Sequence, residues 1–305
     1  MRYVVTGAAG FIGSHLSEAL RARGHDVVSV DAFTDYYDPL EKEENARGLD
    51  VQRVDLAEES LDLAGVDGVF HLAGQPGVRS FGDAFPLYLR RNVLATQRVL
   101  QSAAEAGVRV VLASSSSVYG EAERYPTPED TAARPISPYG ITKLASEQLA
   151  HAYAAGFGLD AVRLRYFTVY GPRQRPDMFF RRVCDALATG GTFEIYGSGE
   201  QSRSFTEVGD VVEATIAAMD RGPAGAVYNV GGGEEASMLE AIALLEGISG
   251  RPLEVRHVDL ARGDVRRTRA DVSRIRQALG WEPRVPLGDG LSRMWAWASA
   301  RVAAQ

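Results

Sequence analysis

The chain is poor in cysteine, and this scarcity limits its chemistry. Its 305 residues contain one cysteine, Cys184, so no disulfide can form within the chain, which fits a reducing cytoplasm. Cys184 stands in an apolar helical pattern, where we expect a buried structural thiol rather than a nucleophile.

Long apolar runs are lacking as well. No stretch approaches 18 uninterrupted apolar residues, the length that predicts a membrane-spanning helix. The apolar, glycine-rich segment 1–20 does not have the layout of a signal peptide. We therefore expect a cytoplasmic protein that does not enter a membrane.

Positive charge is in deficit, and metal-ligand spacings are missing. The formal net charge of -7 argues against a protein that coats nucleic acid or an anionic membrane, although a local basic pocket for a phosphorylated ligand stays open. No metal is predicted, because the histidines show no ligand spacing. They are His15, His25, His71, His151 and His257.

Short apolar runs alternate with helical patterns through the first 170 residues. The runs predict strands at 2–6, 26–31, 51–55, 68–73, 108–114 and 160–167, and the principal helices between them are 10–23, 86–106 and about 139–156. Such alternation predicts an α/β fold, a Rossmann-like doubly wound parallel sheet with right-handed crossovers. Ligands bind such sheets at the carboxyl ends of the strands.

Beyond residue 171 the pattern loosens, although 226–231 still predicts a core strand, and 238–247 and 271–280 predict helices that end at glycine. We expect a smaller C-terminal substrate-binding lobe interleaved with the sheet. The predicted domains are a dinucleotide-binding Rossmann domain, 1–168 and 205–233, and the lobe, 169–204 and 234–305.

Gly7, Gly10 and Gly13 follow the first strand and open a helix. Glycine lets the backbone approach a pyrophosphate, and the helix N-terminus offers amides and a positive dipole. Asp31 ends the second strand, 18 residues beyond the last glycine, where a carboxylate can bind the adenosine ribose. Because that carboxylate repels a 2′-phosphate, the predicted cofactor is NAD rather than NADP.

Tyr139 precedes Lys143 by four residues, so both side chains are expected on one face of a helix. A neighbouring ammonium lowers the pKa of a phenol, which is normally about 10, and this makes Tyr139 a plausible general base. The run from Ser114 to Ser117 ends the fifth strand. Serines at such a position also cap their own backbone.

Together with His71-Leu-Ala73 and the segments 163–172, 196–205 and 279–283, these motifs resemble the extended short-chain dehydrogenase/reductase superfamily. More narrowly, nearly the whole chain is similar to its NAD-dependent sugar-nucleotide epimerases and dehydratases. The resemblance implies that Tyr139 is the base, that Lys143 holds the cofactor ribose and tunes the tyrosine, and that Ser115 assists.

Residues and resemblance together give two sets of predicted contacts. The NAD contacts are Gly7, Gly10, Phe11, Ile12, Gly13, Asp31, Asp55, Leu56, Leu72, Ala73, Gly74, Asn92, Ala113, Ser114, Tyr139, Lys143 and Tyr166. The substrate contacts are Arg79, Ser115, Ser116, Ser117, Tyr139, Thr168, Arg175, Phe180, Tyr196, Arg203 and Arg262. Arg203 and Arg262 match diphosphate-binding positions. Phe180 and Tyr196 match positions of the base pocket, with core packing as the alternative for both.

The resemblance implies that a retained nicotinamide oxidises C4 of a nucleotide sugar. The similar dehydratases carry an Asp-Glu pair just before the Val-Tyr-Gly triplet, and the decarboxylases carry a Glu there, whereas this chain has Ser116 and Ser117. Hydroxyls cannot replace a carboxylate base or acid at pH 7, so we expect epimerisation. Hydride leaves C4, the keto sugar rotates, and hydride returns to the other face.

Substrate identity rests on three segments, 31–39, 77–80 and 167–178, which resemble those of UDP-glucuronate 4-epimerases. Neutral hydroxyls such as Ser116, Ser117 and Thr168 can hold the sugar carboxylate without supplying a proton. We expect conversion of UDP-glucuronate to UDP-galacturonate. The alternatives are a UDP-glucose 4-epimerase, a UDP-glucuronate decarboxylase and, from another class, a catalytically silent NAD-binding regulator.

The predicted helices 86–106 and 139–156 also resemble the pair that forms a four-helix dimer interface in this superfamily, so a homodimer is expected. Apolar residues of these helices could equally serve the core; they are Val93, Leu94, Leu100, Leu144 and Leu149.

Overall fold

The computed structural model describes residues 1–78, 81–259 and 265–303. The strands are β1 Arg2–Thr6, β2 Asp26–Asp31, β3 Val51–Arg53, β4 Gly68–His71, β5 Arg109–Ser115, β6 Ala161–Tyr166, β7 Thr168–Tyr170, β8 Thr192–Tyr196, β9 Ser202–Glu207, β10 Val227–Val230, β11 Glu235–Ser237, β12 Glu254–Val258 and β13 Arg267–Thr268. The helices are α1 Phe11–Ala22, α2 Pro39–Asn45, α3 Phe85–Tyr88, α4 Ala95–Ala106, α5 Pro138–Phe157, α6 Phe179–Thr189, α7 Val208–Arg221, α8 Met238–Ser249, α9 Ser273–Leu279 and α10 Leu287–Ala303. Two 3₁₀ turns span Gly82–Ala84 and Ser116–Val118, and a π-helical segment spans Leu89–Leu94.

Seven parallel strands form the large sheet, in the order β10-β6-β5-β4-β1-β2-β3. Apolar side chains of α1 and α7 pack on one face of this sheet, and those of α4 and α5 pack on the other. The predicted Rossmann-like, doubly wound fold is therefore confirmed. The strand order reverses between β1 and β4, and a ligand crevice is expected at that point.

Smaller sheets lie in the C-terminal part. Strand β9 pairs with β7, β11 and β13, and β8 pairs with β12. Helices α6, α8 and α10 contribute to a separate apolar core, which contains Cys184. Burial raises the pKa of this thiol to about 12, so it is an inert packing group, as predicted. The boundaries of the two predicted domains stay a prediction.

The predicted helix 86–106 is interrupted. It consists of α3, the π-helical segment Leu89–Leu94 and α4, because the buried Asn92 side chain binds groups outside the helix. A π-helical turn of this kind is common at functional sites. Strands β3 and β4 also end before the predicted Asp55 and Ala73, since those residues belong to loops at the sheet edge. Among the described helices, none is long and apolar enough to cross a membrane.

Candidate active site

A cavity lies at the carboxyl ends of the central strands, beside the point where the strand order reverses. It is lined by every predicted NAD contact except Asn92: Gly7, Gly10, Phe11, Ile12, Gly13, Asp31, Asp55, Leu56, Leu72, Ala73, Gly74, Ala113, Ser114, Tyr139, Lys143 and Tyr166. We call it the dinucleotide cavity.

The glycine loop requires glycine for steric reasons. A Cβ atom on Gly13 would lie 2.0 Å from the carbonyl oxygen of Gly7, far inside van der Waals contact. Gly7 has a φ of +71°, and its Cβ would lie 2.9 Å from the amide nitrogen of Ala73. The loop therefore packs tightly against the start of α1, which leaves the helix N-terminus open to an anionic group.

Asp31 orders the end of β2. Its carboxylate accepts hydrogen bonds from the backbone amides of Phe33 (2.7 Å) and Ala9 (3.1 Å) while it lines the dinucleotide cavity. These bonds fix a negative charge where the adenosine ribose would lie. The Asp31 carboxylate, which can accept from ribose hydroxyls, and the glycine loop both fit NAD.

Several residues of this cavity were not predicted, among them Tyr36, Tyr37, Lys42, Gln75 and Arg91. Lys42 donates to the carbonyl oxygen (2.7 Å) and hydroxyl (2.9 Å) of Thr34, and it lies over the Tyr37 ring at 5.0 Å. The scarcity of lysine in the sequence could have indicated Lys42 as a site residue. The chain contains only two lysines, Lys42 and Lys143, and both line this cavity.

The N-terminus of α5 places the predicted base. The Ser137 hydroxyl accepts from the amide of Gly140 at 3.1 Å, and Pro138 occupies the first helical turn, both of which favour a helix start. Tyr139 thereby lies in the first turn, and its phenol is hydrogen-bonded to Ser115. The Lys143 ammonium lies 6.0 Å from the Tyr139 ring and donates to the carbonyl oxygen of Ala113 at 2.8 Å.

The predicted lowering of the Tyr139 pKa by Lys143 is wrong. Burial raises the pKa of Tyr139, and the opposing contributions come from the Arg175 charge and the hydrogen bond with Ser115. Burial also lowers the pKa of Lys143 to about 8, against the opposing charge of Glu147. Sequence spacing gave the shared helix face but not the desolvation of both groups.

A second cavity meets the first one at Tyr139, and we call it the sugar cavity. It is lined by most predicted substrate contacts, namely Ser115, Ser116, Ser117, Tyr139, Thr168, Arg175 and Arg203. The serines make different hydrogen bonds. Ser115 accepts from the amide of Ser117 at 3.2 Å, which caps the 3₁₀ turn, and Ser114 donates to Glu147.

Asp177 is the one carboxylate among the described residues that line the sugar cavity. It accepts two hydrogen bonds from Arg175, at 2.9 and 3.0 Å, and one from the hydroxyl of Tyr36 at 3.2 Å. Burial works against its ionisation, but the Arg175 charge and these bonds outweigh burial and lower the pKa of Asp177. It is thus a paired anion at neutral pH.

Three predicted contacts lie elsewhere. Phe180 is buried in the lobe core against Tyr170 and Phe205, because its helix turns Phe179 to the sugar cavity instead. Tyr196 ends β8 and does not line either cavity.

Asn92 is the third of these residues. Its side chain accepts from the amide of Gln75 at 2.6 Å and donates to Gln75 (3.1 Å) and Thr142 (3.0 Å). It therefore fixes the loop after β4 rather than lining the cavity.

Of the two arginines predicted to bind the diphosphate, Arg203 and Arg262, the described residues include Arg203. Arg203 is buried at the sugar cavity and donates to the carbonyl oxygens of Ser202 (2.8 Å) and Val265 (2.6 Å). Arg79 and Arg262 lie outside the described residues, so their roles stay predictions.

The sequence of this chain is similar to those of known proteins. The sequence profile of the NAD dependent epimerase/dehydratase family matches residues 3–231. The chain is 42% identical over 312 residues to a protein of Bacillus subtilis named uncharacterized UDP-glucose epimerase YtcB, with 98% of each chain covered. It is 34% identical to a UDP-glucuronate 4-epimerase of Thermodesulfobacterium geofontis, with 98% of this chain and 97% of the relative covered.

A solved structure is similar over the whole length. The UDP-glucuronic acid 4-epimerase of Bacillus cereus, in complex with UDP-glucuronic acid and NAD, superposes with a TM-score of 0.93 at 38% identity. The superposition covers 99% of this chain and 100% of that one.

Proposed function

Because the chain belongs to the NAD-dependent epimerase/dehydratase family, we propose that it inverts C4 of UDP-glucuronate to give UDP-galacturonate. Family membership confirms the predicted cofactor, NAD, which when bound supplies the oxidation of C4 and the reduction that follows. The observation that carries the proposal is a sugar cavity edged by neutral hydroxyls, those of Ser116, Ser117 and Thr168.

Tyr139 would take the proton of the C4 hydroxyl. Its phenol lies where the two cavities meet and is hydrogen-bonded to Ser115, so the same serine can orient the phenol and the sugar hydroxyl. The Arg175 charge opposes the effect of burial on the pKa of Tyr139 and thereby favours the phenolate. When C4 is reduced again, the proton returns from the phenol to the oxygen.

Lys143 would hold the nicotinamide ribose. Its ammonium has three donors, of which one binds Ala113, and its pKa of about 8 keeps it mostly protonated at pH 7. The glycine loop would bind the pyrophosphate, and Asp31 would bind the adenosine ribose.

Elimination and decarboxylation are disfavoured by the same cavity. Both reactions need a proton donor or base beside C5 or C6, and Ser116 and Ser117 supply neither at neutral pH. Asp177 is paired with Arg175 and stays ionised. Oxidation of glucuronate at C4 gives a β-keto acid, which loses CO2 when the bond from C5 to the carboxylate aligns with the π system of the C4 carbonyl. The neutral hydroxyls can hold the carboxylate out of that alignment.

A UDP-glucose 4-epimerase is the second candidate. Arg175 already binds Asp177, so the cavity has no net charge from this pair that would demand an acidic sugar, and a relative at 42% identity is named for UDP-glucose. The test is incubation with each nucleotide sugar separately, with products resolved by chromatography. Turnover of UDP-glucuronate at least about tenfold faster supports the proposal, whereas turnover of UDP-glucose alone overturns it.

A further inference from the structure

One face of α5 binds three consecutive residues at the end of β5. Tyr139 is hydrogen-bonded to Ser115, Lys143 donates to the carbonyl oxygen of Ala113, and Glu147 accepts from the hydroxyl of Ser114. Residues four apart share a helix face, so the acid, the amine and the phenol form one row. The proposed function uses Tyr139 and Lys143 and leaves Glu147 unexplained.

Glu147 is a buried and fully bonded carboxylate. Its side chain is 2% exposed, and its two oxygens accept from Nε and Nη2 of Arg165 at 2.9 and 2.7 Å. Arg165 also donates to the hydroxyl of Tyr119 at 2.8 Å and to the carbonyl oxygen of Glu129 at 3.1 Å. Such a bidentate pair holds both charges in place, and a buried carboxylate without it would be costly.

This pair is linked to both cavities through Ser114, which lines them and donates to Glu147. Since it rests on the proposed roles of Tyr139 and Lys143, the inference deepens the proposed function. We propose that Glu147, held by Arg165, is a positioning residue that keeps the Lys143 ammonium charged and fixes Ser114 at the edge of the dinucleotide cavity.

The groups that face Lys143 support this role. Burial lowers the pKa of Lys143, and among the described residues Glu147 is the charged group that opposes this effect. His71, from β4, is neutral because burial lowers its pKa to about 3, and its ring lies between the hydroxyls of Thr6 and Thr96.

The remaining neighbours carry no compensating negative charge. Tyr139, on the same helix, has a raised pKa because of burial and is neutral at rest. Asn92, from the π-helical segment, is an amide whose oxygen lies beside Gly74, which Lys143 also approaches. Arg165, from β6, is a cation that Glu147 neutralises.

Removing the charge of Glu147 therefore removes the attraction that favours the ammonium form of Lys143. Lys143 in Glu147→Gln would lose its proton at a lower pH than in the unaltered protein.

The scarcity of lysine permits a direct measurement. With lysine labelled at the ε-carbon by ¹³C, the protein gives two side-chain NMR signals, and Lys143→Met assigns them. We expect the titration midpoint of Lys143 to fall by about one pH unit in Glu147→Gln, while that of Lys42 stays fixed. An unchanged Lys143 midpoint would overturn the proposal.

Glu129→Gln is the matched control. Glu129 is also a buried carboxylate of this network, but its side chain binds the amide of Asn229 and lies near Arg274. We expect no change in the Lys143 midpoint in this variant. If Glu147→Gln does not fold, the double variant Glu147→Gln, Arg165→Gln removes the carboxylate without leaving Arg165 unpaired. Because Glu147 is the charge that raises the pKa of Lys143, the Lys143 midpoint should still fall in the double variant, and an unchanged midpoint would overturn the proposal.

Kinetics separate positioning from simple structural support. The alkaline limb of kcat should move to lower pH with the Lys143 midpoint in Glu147→Gln. A uniform loss of kcat at all pH values, with the limb unmoved, would indicate a purely structural carboxylate. The NMR titration needs no substrate, so a wrong substrate assignment leaves that result readable.

Discussion

Lys143 is a cation buried beside the proposed reacting centre, and its burial has a cost. Its pKa in the folded protein is about 8, below the ordinary value of about 10.5. The unfolded chain therefore binds this proton more tightly, so the destabilisation is complete below pH 8 and is relieved as the pH rises from 8 towards 10.5. The charge of Lys143 is needed for its proposed role in binding the cofactor, but the burial of that charge lowers the stability of the fold.

Lys143→Met should accordingly raise the free energy of unfolding at pH 7 by about 2 kcal/mol and abolish turnover. The stability gain should shrink towards pH 10, where the folded protein no longer carries the charge. Urea unfolding at both pH values measures it. A variant less stable than the unaltered protein at pH 7 would refute the cost of burial.

Tyr139→Phe should lower kcat by about 10³-fold while the NAD content of the purified protein stays the same, because the hydroxyl moves a proton and the ring remains. Tyr153→Phe is the control on the same helix, since its hydroxyl binds Gln97 and Gln101 away from both cavities. An unaffected rate in Tyr139→Phe would exclude this residue as the base.

Most of the predicted site residues line one of the two cavities, whereas the environment of their side chains could not be predicted. The spacing from Tyr139 to Lys143 follows from helix geometry. The pKa of Tyr139 depends instead on burial and on Arg175, which is 36 residues away in the chain. Phe179 and Phe180 are adjacent, and only the packing of α6 decides which of them reaches the cavity.

At the scale of elements, the junction between β1 and α1 sets the position of the cofactor. Gly13→Ala would force a Cβ to within 2.0 Å of the carbonyl oxygen of Gly7, so the loop must move. We expect a loss of about 3 kcal/mol in the free energy of unfolding and a fall in NAD content of at least about tenfold. Differential scanning calorimetry and release of bound nucleotide measure the two effects.

Gly156→Ala serves as the control for that substitution. Gly156 lies in α5 and has no atom near the position of its missing Cβ, so alanine should stabilise the helix by up to about 1 kcal/mol. Equal effects of the two substitutions would contradict the steric account of the glycine loop.

Helices and strands of the large sheet were predictable because local apolar periodicity follows their burial. The interruption at Leu89–Leu94 was not, since the residues are helical in pattern on both sides. It depends on the hydrogen bonds that Asn92 accepts from the amide of Gln75 and donates to the hydroxyl of Thr142, which join segments far apart in sequence.

At the scale of the whole molecule, the chain leaves apolar side chains exposed on two neighbouring helical regions. Leu94 and Ile141 are 42% and 49% exposed, whereas Leu100, also considered for an interface, is buried in the core. We propose that this surface pairs with a second copy in a homodimer.

Leu94→Glu should raise the dimer dissociation constant by about 100-fold, because burying two carboxylates costs about 3 kcal/mol. Analytical ultracentrifugation would then show a monomer at micromolar concentration. Leu40→Glu, at a residue 68% exposed on α2, is the control and should leave the mass unchanged. A Leu94→Glu protein that sediments like the unaltered one would exclude this interface.

The most direct test follows the hydrogen at the reacting carbon. UDP-glucuronate labelled with deuterium at C4 is incubated with the purified protein in ordinary water, and the product is analysed by NMR and mass spectrometry. Because the hydrogen removed from C4 is returned to the same carbon without exchange, we expect UDP-galacturonate that keeps the deuterium. Product that has lost the label to solvent, or no inversion at C4, would contradict the account.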